Sequence, residues 1–313
     1  MALFEETNPC DIDINELIST LKKHYTVVEK KDLRFFYHGT YNVFEFKDFI
    51  LRVPDVTFRN QKGIQLIQEE AMKLKNLSSF LNIPIPQPTK ISLDEEMPFM
   101  VYTKLSGVPL STVFSDLTHQ QYKQIAIEIA EFLNQLHSPT LFHQVNAKIF
   151  NTSFQTEDYK QYWRNKFEEF KEKVFPMLNL LQKFWSQQIF ETFLENPRNF
   201  QFTPVLTHGD FDMSNILVDP KKSKITGIVD FEQCCVWDPA ADLLFYEQPI
   251  FQDTIISAYA YSDSVSLFER MKFLYCRTWL EYVLFGLQHH KQNMVKYGLM
   301  RLEKLRRKFP CFS

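Results

Sequence analysis

The sequence predicts an α+β protein of two lobes: a small β-rich N-terminal lobe and a larger, mostly helical C-terminal lobe. Three observations predict it. Short apolar runs punctuated by turn residues, with one helical stretch among them, make up the N-terminal third of the chain. Beyond that point, long stretches carry apolar residues at helical spacing. The chain has 313 residues, 45% of them hydrophobic and 31 of them Phe. That suffices for a core in each lobe and is unlike the composition of a disordered chain.

In the N-terminal part, His38–Phe46 reads as strand, turn and strand around Gly39. Glycine is scarce, seven in the whole chain, so each one is a candidate for a special backbone role. Gly39 and Asn42 are candidate nucleotide contacts, because a turn's N–H groups can approach phosphate. An ordinary β-turn accounts for the run equally well. Lys47-Asp48 turns the chain into another strand, Phe49–Pro54, which carries Arg52. Lys62–Phe80 reads as a helix with Ile64, Ile67, Ala71, Leu74 and Leu77 on one face, and with Glu69 and Glu70 inside it. Taken alone, Arg52 and Glu70 read as surface charges. Three prolines in Leu81–Pro88 break the helix. Ile91–Leu93 and Pro98–Thr103 then read as strands flanking an acidic turn, Asp94-Glu95-Glu96.

Helices dominate the rest. Thr118–Ser138 opens on an N-cap Thr and carries Tyr122, Ile125, Ile129, Phe132, Leu133 and Leu136 at helical spacing. Asp158–Lys173 and Met177–Glu195 read as two more helices, whose Phe, Trp and Leu stripes are expected in the core. Ile216–Asp219 and Ile225–Val229 read as strands joined by a turn. Val265–His290 reads as a late helix. Leu299, Leu302 and Leu305 give the basic C-terminus helical spacing, so a solvated amphipathic helix is expected there rather than a nucleic-acid tail.

Two motifs carry chemistry. His208-Gly209-Asp210-Phe211-Asp212-Met213-Ser214-Asn215 has the spacing H-G-D-x-x-x-x-N, and Asp230-Phe231-Glu232 follows the β-branched pair Ile228-Val229. A hydroxyl attacking a γ-phosphoryl group is a weak nucleophile at neutral pH. A carboxylate within hydrogen-bond reach orients it and takes its proton; Asp210 is the candidate. Mg2+ bridging the phosphates prefers hard oxygen ligands; Asn215 and Asp230 are the candidates, and the hairpin between them would bring them together. His208 is expected to position rather than to catalyse.

In this order the motifs resemble the aminoglycoside phosphotransferase and choline kinase superfamily, in particular the bacterial aminoglycoside 2″-phosphotransferases. Thr207–Gln248 carries most of the likeness. The resemblance implies a bilobal protein-kinase-like fold, divided after the hinge into an N-terminal nucleotide-binding lobe, 1–105, and a C-terminal catalytic and acceptor-binding lobe, 106–313. It also implies that Arg52 stands where the family commonly has its phosphate-binding Lys, and the two are not interchangeable. Glu70 fits the position of that residue's helix partner, with Glu69 the neighbouring alternative. Phe99–Leu105 resembles the strand and hinge that hold a purine edge, making Met100, Tyr102 and Lys104 candidate nucleotide contacts. Val236–Leu243 matches the family's D-P-x-x-D pattern, in which Asp238 and Asp242 support the catalytic loop and the acceptor-site wall. Asp238 also fits a structural N-cap with Pro239 at the first helical position.

Val205–Ile250 holds eight acidic residues and three lysines, although the whole chain is only −3. Such a surplus would attract a cationic acceptor. Asp212, Asp238 and Glu247, with Glu269, Trp279 and Glu281 on the late helix, are the candidate acceptor contacts; solvated or paired charges are the ordinary alternative. Arg277–Leu287 resembles the late acceptor-site helix of aminoglycoside kinases. The expected activity is transfer from ATP or GTP, with Mg2+, to a hydroxyl of an aminoglycoside-like acceptor, as in antibiotic resistance. The alternatives are a macrolide, amino alcohol or sugar acceptor, or a catalytically silent nucleotide-binding protein, which Arg52 and Glu232 would favour. The choice between ATP and GTP turns on pocket shape near Met100 and Tyr102. Met1–Asp13 has no signal-peptide core, and no run is long enough to span a bilayer. Five cysteines (Cys10, Cys234, Cys235, Cys276, Cys311) form no C-x-x-C pair. A cytoplasmic monomer with reduced thiols and no nucleic-acid or membrane partner is expected.

Overall fold

The protein is described by a computed structural model. The described residues are 12–94, 96–145, 150, 153–260 and 266–309. Expectations for Cys10, Cys311, Glu95, Val265 and the stretch before residue 12 lie outside the described residues. The chain forms two compact units. One holds the described residues up to Glu128, with Phe150 and Met213–Cys234; the other holds the remainder.

In the first unit, β1 (Leu33–His38), β2 (Tyr41–Phe46), β3 (Phe49–Pro54), β4 (Pro88–Ser92) and β5 (Phe99–Thr103) form an antiparallel sheet in the order β1-β2-β3-β5-β4. Alternation along β3 sends Leu51 and Val53 to one face and Ile50 and Arg52 to the other. Leu51 and Val53 join Phe44, Phe46, Phe99 and Val101 in an apolar cluster with Leu17 and Leu21 of α1 (Ile14–Lys22). Helix α1 has no counterpart among the sequence expectations, yet its signals are ordinary. The Asp13 carboxylate accepts the Asn15 N–H at 2.7 Å as an N-cap, and Leu17 and Leu21 lie one turn apart. On the Arg52 face, α2 (Gln61–Leu77) buries Ile64, Ile67, Ala71, Leu74 and Leu77, the apolar stripe expected of it, and with them Glu70 and Lys73. A second sheet has the order β6-β8-β9, with β6 at Val108–Pro109, β8 at Ile216–Asp219 and β9 at Lys224–Ile228.

The second unit takes the end of α3 (His119–Leu136), then α4 (Thr156–Lys173), α5 (Leu180–Glu195), α6 (Pro249–Ala258), α7 (Leu267–Gln288) and α8 (Gln292–Lys308). A two-stranded ladder pairs β7 (Val205–Thr207) with β10 (Cys235–Trp237). The aromatic stripes form its core as expected. Phe167 stacks on Phe190 at 4.7 Å, and Trp163 meets Phe273 edge-on at 5.0 Å. Among the described residues, no helix is long and apolar enough to cross a membrane.

Candidate active site

In the first unit, polar groups converge on Arg52. Arg52 is 3% exposed and Glu70 1%, so neither is a surface charge. Arg52 Nη1 donates to Glu70 Oε1. Its Nη2 lies 3.3 Å from Asp230 Oδ1 and 3.4 Å from Glu232 Oε2. The guanidinium sits 4.1 Å over the Tyr41 ring, a cation–π contact that fixes its plane. Lys73 Nζ donates to the Glu232 carbonyl at 2.7 Å. One cation thus gathers three carboxylates. Burial, against the pull of Arg52, pushes the Glu70 carboxyl up to about 7. Burial works against the Arg52 charge, but Glu70 and Asp230 hold the guanidinium well above its usual range.

The β8–β9 hairpin brings the two candidate metal ligands together. Ile216 pairs with Ile228, and Val229 N–H donates to Asn215 O at 2.9 Å. Asn215 therefore lies beside Val229, one residue from Asp230. Asp230 has φ 69°, left-handed backbone that a non-glycine residue adopts at a cost and that marks functional turns. Its side chain is 27% exposed. An amide oxygen and a partly open carboxylate suit Mg2+, which uses few protein ligands and fills its octahedron with water and phosphate oxygens. Among the described residues, no group of three or more His, Cys, Asp or Glu side chains could hold a metal unaided.

The expected nucleotide contacts divide. Met100 pairs with Arg52 and Tyr102 with Ile50, so both share the Arg52 face. Gly39 N–H donates to Tyr41 O at 2.9 Å, closing the hairpin. Its φ is not positive, and a Cβ there would meet only the Tyr37 ring at 3.8 Å; the fold itself does not require glycine. Asn42 lies elsewhere. It pairs with Val53 and so shares the opposite face, where it is fully buried. The Lys104 ammonium bonds Glu45 and its N–H donates to Asp48 O at 3.1 Å.

In the second unit, β7 leads into His208-Gly209-Asp210. Gly209 has φ 85°, a conformation that glycine alone adopts cheaply. The buried Asp242 clamps this turn. Its Oδ2 accepts His208 N–H at 2.6 Å and its Oδ1 accepts Gly209 N–H at 3.0 Å. His137 Nε2 lies 3.1 Å from the same carboxylate, and its Nδ1 meets the Tyr259 hydroxyl. Neither His137 nor Tyr259 carries a motif, since a His on an apolar helix face reads as core. Asp210 and Asp212 are exposed.

The expected acceptor contacts are mostly engaged already. Asp238 is fully buried. It caps the turn at Pro239–Asp242 through Ala240 N–H (2.9 Å) and accepts from Tyr159 Oη (2.8 Å) and Arg270 Nε (3.1 Å). It is a structural cap and ion-pair partner, with no surface left for an acceptor. Glu247 is bound by Arg301 and Tyr275, and Glu281 by Arg277. Glu269 is exposed in the first turn of α7, where the helix dipole favours a carboxylate. Trp279 carries the Arg301 guanidinium 4.4 Å over its ring. Tyr282 lies near the loop without having been expected: burial, then the Asp210 and Asp212 carboxylates, push its phenol up to about 12.

A model described as the phosphotransferase enzyme family matches residues 32–274. The chain belongs to that family. Among solved structures, the GDP complex of wild-type aminoglycoside 2'-phosphotransferase-IIIa superposes on this phosphotransferase-family chain with a TM-score of 0.81 at 19% identity, covering 93% of this chain and 97% of the other. The streptomycin-ATP-APH(2")-IIa ternary complex gives 0.70 at 19% identity, covering 94% and 97%. These likenesses establish the protein-kinase-like α+β fold. The family member is also 23% identical to human acyl-CoA dehydrogenase family member 11 over 255 residues, 74% of this chain and 30% of that protein. It thus spans under a third of that relative's length.

Proposed function

We propose that this chain transfers the γ-phosphoryl group of ATP or GTP to a hydroxyl of a small molecule. One observation carries the proposal: Asn215 lies beside Val229, and Asp230, one residue on, stands 3.3 Å from the Arg52 that Glu70 also holds. A phosphate-facing cation, its carboxylate partner and two hard-oxygen ligands thus come from four separate stretches to one place. Met100 and Tyr102 line the same sheet face and would meet the base. Asn215 and Asp230 would hold Mg2+, which when bound neutralises charge on the phosphate oxygens. Asp210, exposed on a turn that Asp242 fixes, would orient the acceptor hydroxyl and take its proton.

A polycationic aminoglycoside is the acceptor that the local acidity favours, and structurally similar proteins form complexes with kanamycin and streptomycin. That support weakens once Asp238, Glu247 and Glu281 are each paired with arginine. The catalytically silent alternative rests on Arg52 in place of lysine and on Glu232 after Asp230-Phe231, but Arg52 still makes the pair with Glu70. A coupled assay of nucleotide consumption with Mg2+ and varied hydroxyl compounds tests the reaction. Acceptor-dependent turnover is expected with ATP or GTP. Tight nucleotide binding that no hydroxyl compound converts into turnover would return the silent alternative.

A further inference from the structure

The charges around Arg301 run opposite to those of a pocket for amines. Gly298 lets α8 cross α7 closely, since a Cβ there would stand 3.1 Å from Trp279 O and from Val283 N. That crossing seats Arg301 over Trp279, with Nη1 3.4 Å from the Tyr297 hydroxyl. Arg301 and the Tyr275 hydroxyl both bind Glu247. Partial burial works against the Glu247 charge, but Tyr275, Arg301, Lys304 and Lys308 together hold its carboxyl below the usual range. Arg301 binds Glu247 directly, and Lys304 and Lys308 follow it at i+3 and i+7 on α8, along the same helix face. Glu303 does not offset them, because Arg306 and Arg307 engage it. Tyr282 joins this wall to the catalytic loop: its phenol lies in the fields of Asp210, Asp212 and Arg301. The Tyr282 and Tyr297 rings lie 5.1 and 5.7 Å from that of Trp279. The wall is aromatic, and Arg301 is stacked on it.

We propose that the acceptor carries an anionic group, a carboxylate or phosphate, which Arg301 and Lys304 bind while its hydroxyl meets Asp210. This rests on the phosphoryl-transfer reading above. In the transfer, the acceptor oxygen bonds to the γ-phosphorus and its proton passes to Asp210. The bond from that phosphorus to the bridging oxygen breaks, and the nucleoside diphosphate leaves with the electron pair. Arginine suits the anion because its planar fork, already stacked on Trp279, loses little freedom on binding.

The test measures Mg2+-dependent nucleotide consumption by the full chain. The probes are glycerate, gluconate and glucose 6-phosphate, then neutral glucose, then choline and kanamycin. Acceleration by an anionic compound is expected. Its KM should rise about tenfold or more in Arg301→Gln and recover in part in Arg301→Lys. Glu247→Gln should lower the same KM, since it releases Arg301; that arm decides if Arg301→Gln does not fold. Arg307→Gln, which alters a cation committed to Glu303, should change nothing. Acceleration confined to cationic or neutral compounds, or an unchanged KM for the anion in Arg301→Gln, overturns the anionic acceptor and leaves phosphoryl transfer standing. No Mg2+-dependent consumption with any compound overturns the transfer reading, and the acceptor class with it.

Discussion

Arg52 holds Glu70, Asp230 and Glu232 at once, and the pair with Glu70 carries the first prediction. Glu70 ionises near 4.5 when unfolded and near 7 when folded. Between those values the folded chain binds more protons than the unfolded one. This group's contribution to stability is therefore fully present below about 4.5 and is lost as pH rises through about 7. The melting temperature of wild type relative to Glu70→Gln should fall between pH 5 and pH 8; a flat or rising difference would contradict the shift. Gly39 gives the second. Its φ is ordinary and a Cβ would meet only the Tyr37 ring at 3.8 Å, so Gly39→Ala should change stability by no more than about 0.5 kcal/mol. Nucleotide should nevertheless bind more weakly, because a methyl group there would keep phosphate from the turn's N–H groups. Calorimetric titration with ADP and Mg2+ checks this, and unchanged affinity would remove the turn from the phosphate site.

Among elements, those with a strong period were legible and those without were not. Helices α2, α4 and α5 and the β8–β9 hairpin stand within a few residues of their expected places, because their apolar stripes repeat over several turns or alternate about a short turn. Strands β7 and β10 have three residues each, too few to show alternation. The turn at Pro239–Asp242 shows a subtler limit. The D-P-x-x-D pattern marks both carboxylates, but distant chain decides their work. Arg270 of α7 claims Asp238; the His208-Gly209 turn and His137, just past the end of α3, claim Asp242. Asp242→Asn keeps the shape but aims an amide N–H₂ at a backbone donor. We expect kcat to fall about 100-fold with nucleotide KM little changed, and stability to fall by about 1–3 kcal/mol. Steady-state kinetics beside thermal melts would separate the two. A KM effect without a kcat effect would mean that the clamp does not position Asp210.

At the scale of the whole molecule, the candidate catalytic and metal-binding residues follow one another within a short stretch of sequence, whereas the charges around the candidate acceptor residues are set by distant chain. Glu247 meets Arg301, and Asp238 meets Arg270, pairings that only the folded chain makes. An acidic stretch of sequence therefore need not be an acidic site. The catalytic assignments also separate cleanly, since Asp210 belongs to the second compact unit and Asn215 and Asp230 to the first. Asp210→Ala should remove nearly all phosphoryl transfer, a loss on the order of 10²–10⁴-fold for a general base. It should leave Mg2+-dependent nucleotide affinity close to wild type, because its carboxylate serves the hydroxyl and not the triphosphate. Asp230→Ala should behave in the opposite way: the Mg2+ dependence of nucleotide binding disappears, and Arg52 loses one of its three carboxylates. Titrating each variant with nucleotide, with and without Mg2+, distinguishes the roles. Equal loss of binding in both variants would mean that Asp210 serves the metal, and retained Mg2+ dependence in Asp230→Ala would place the ligand elsewhere.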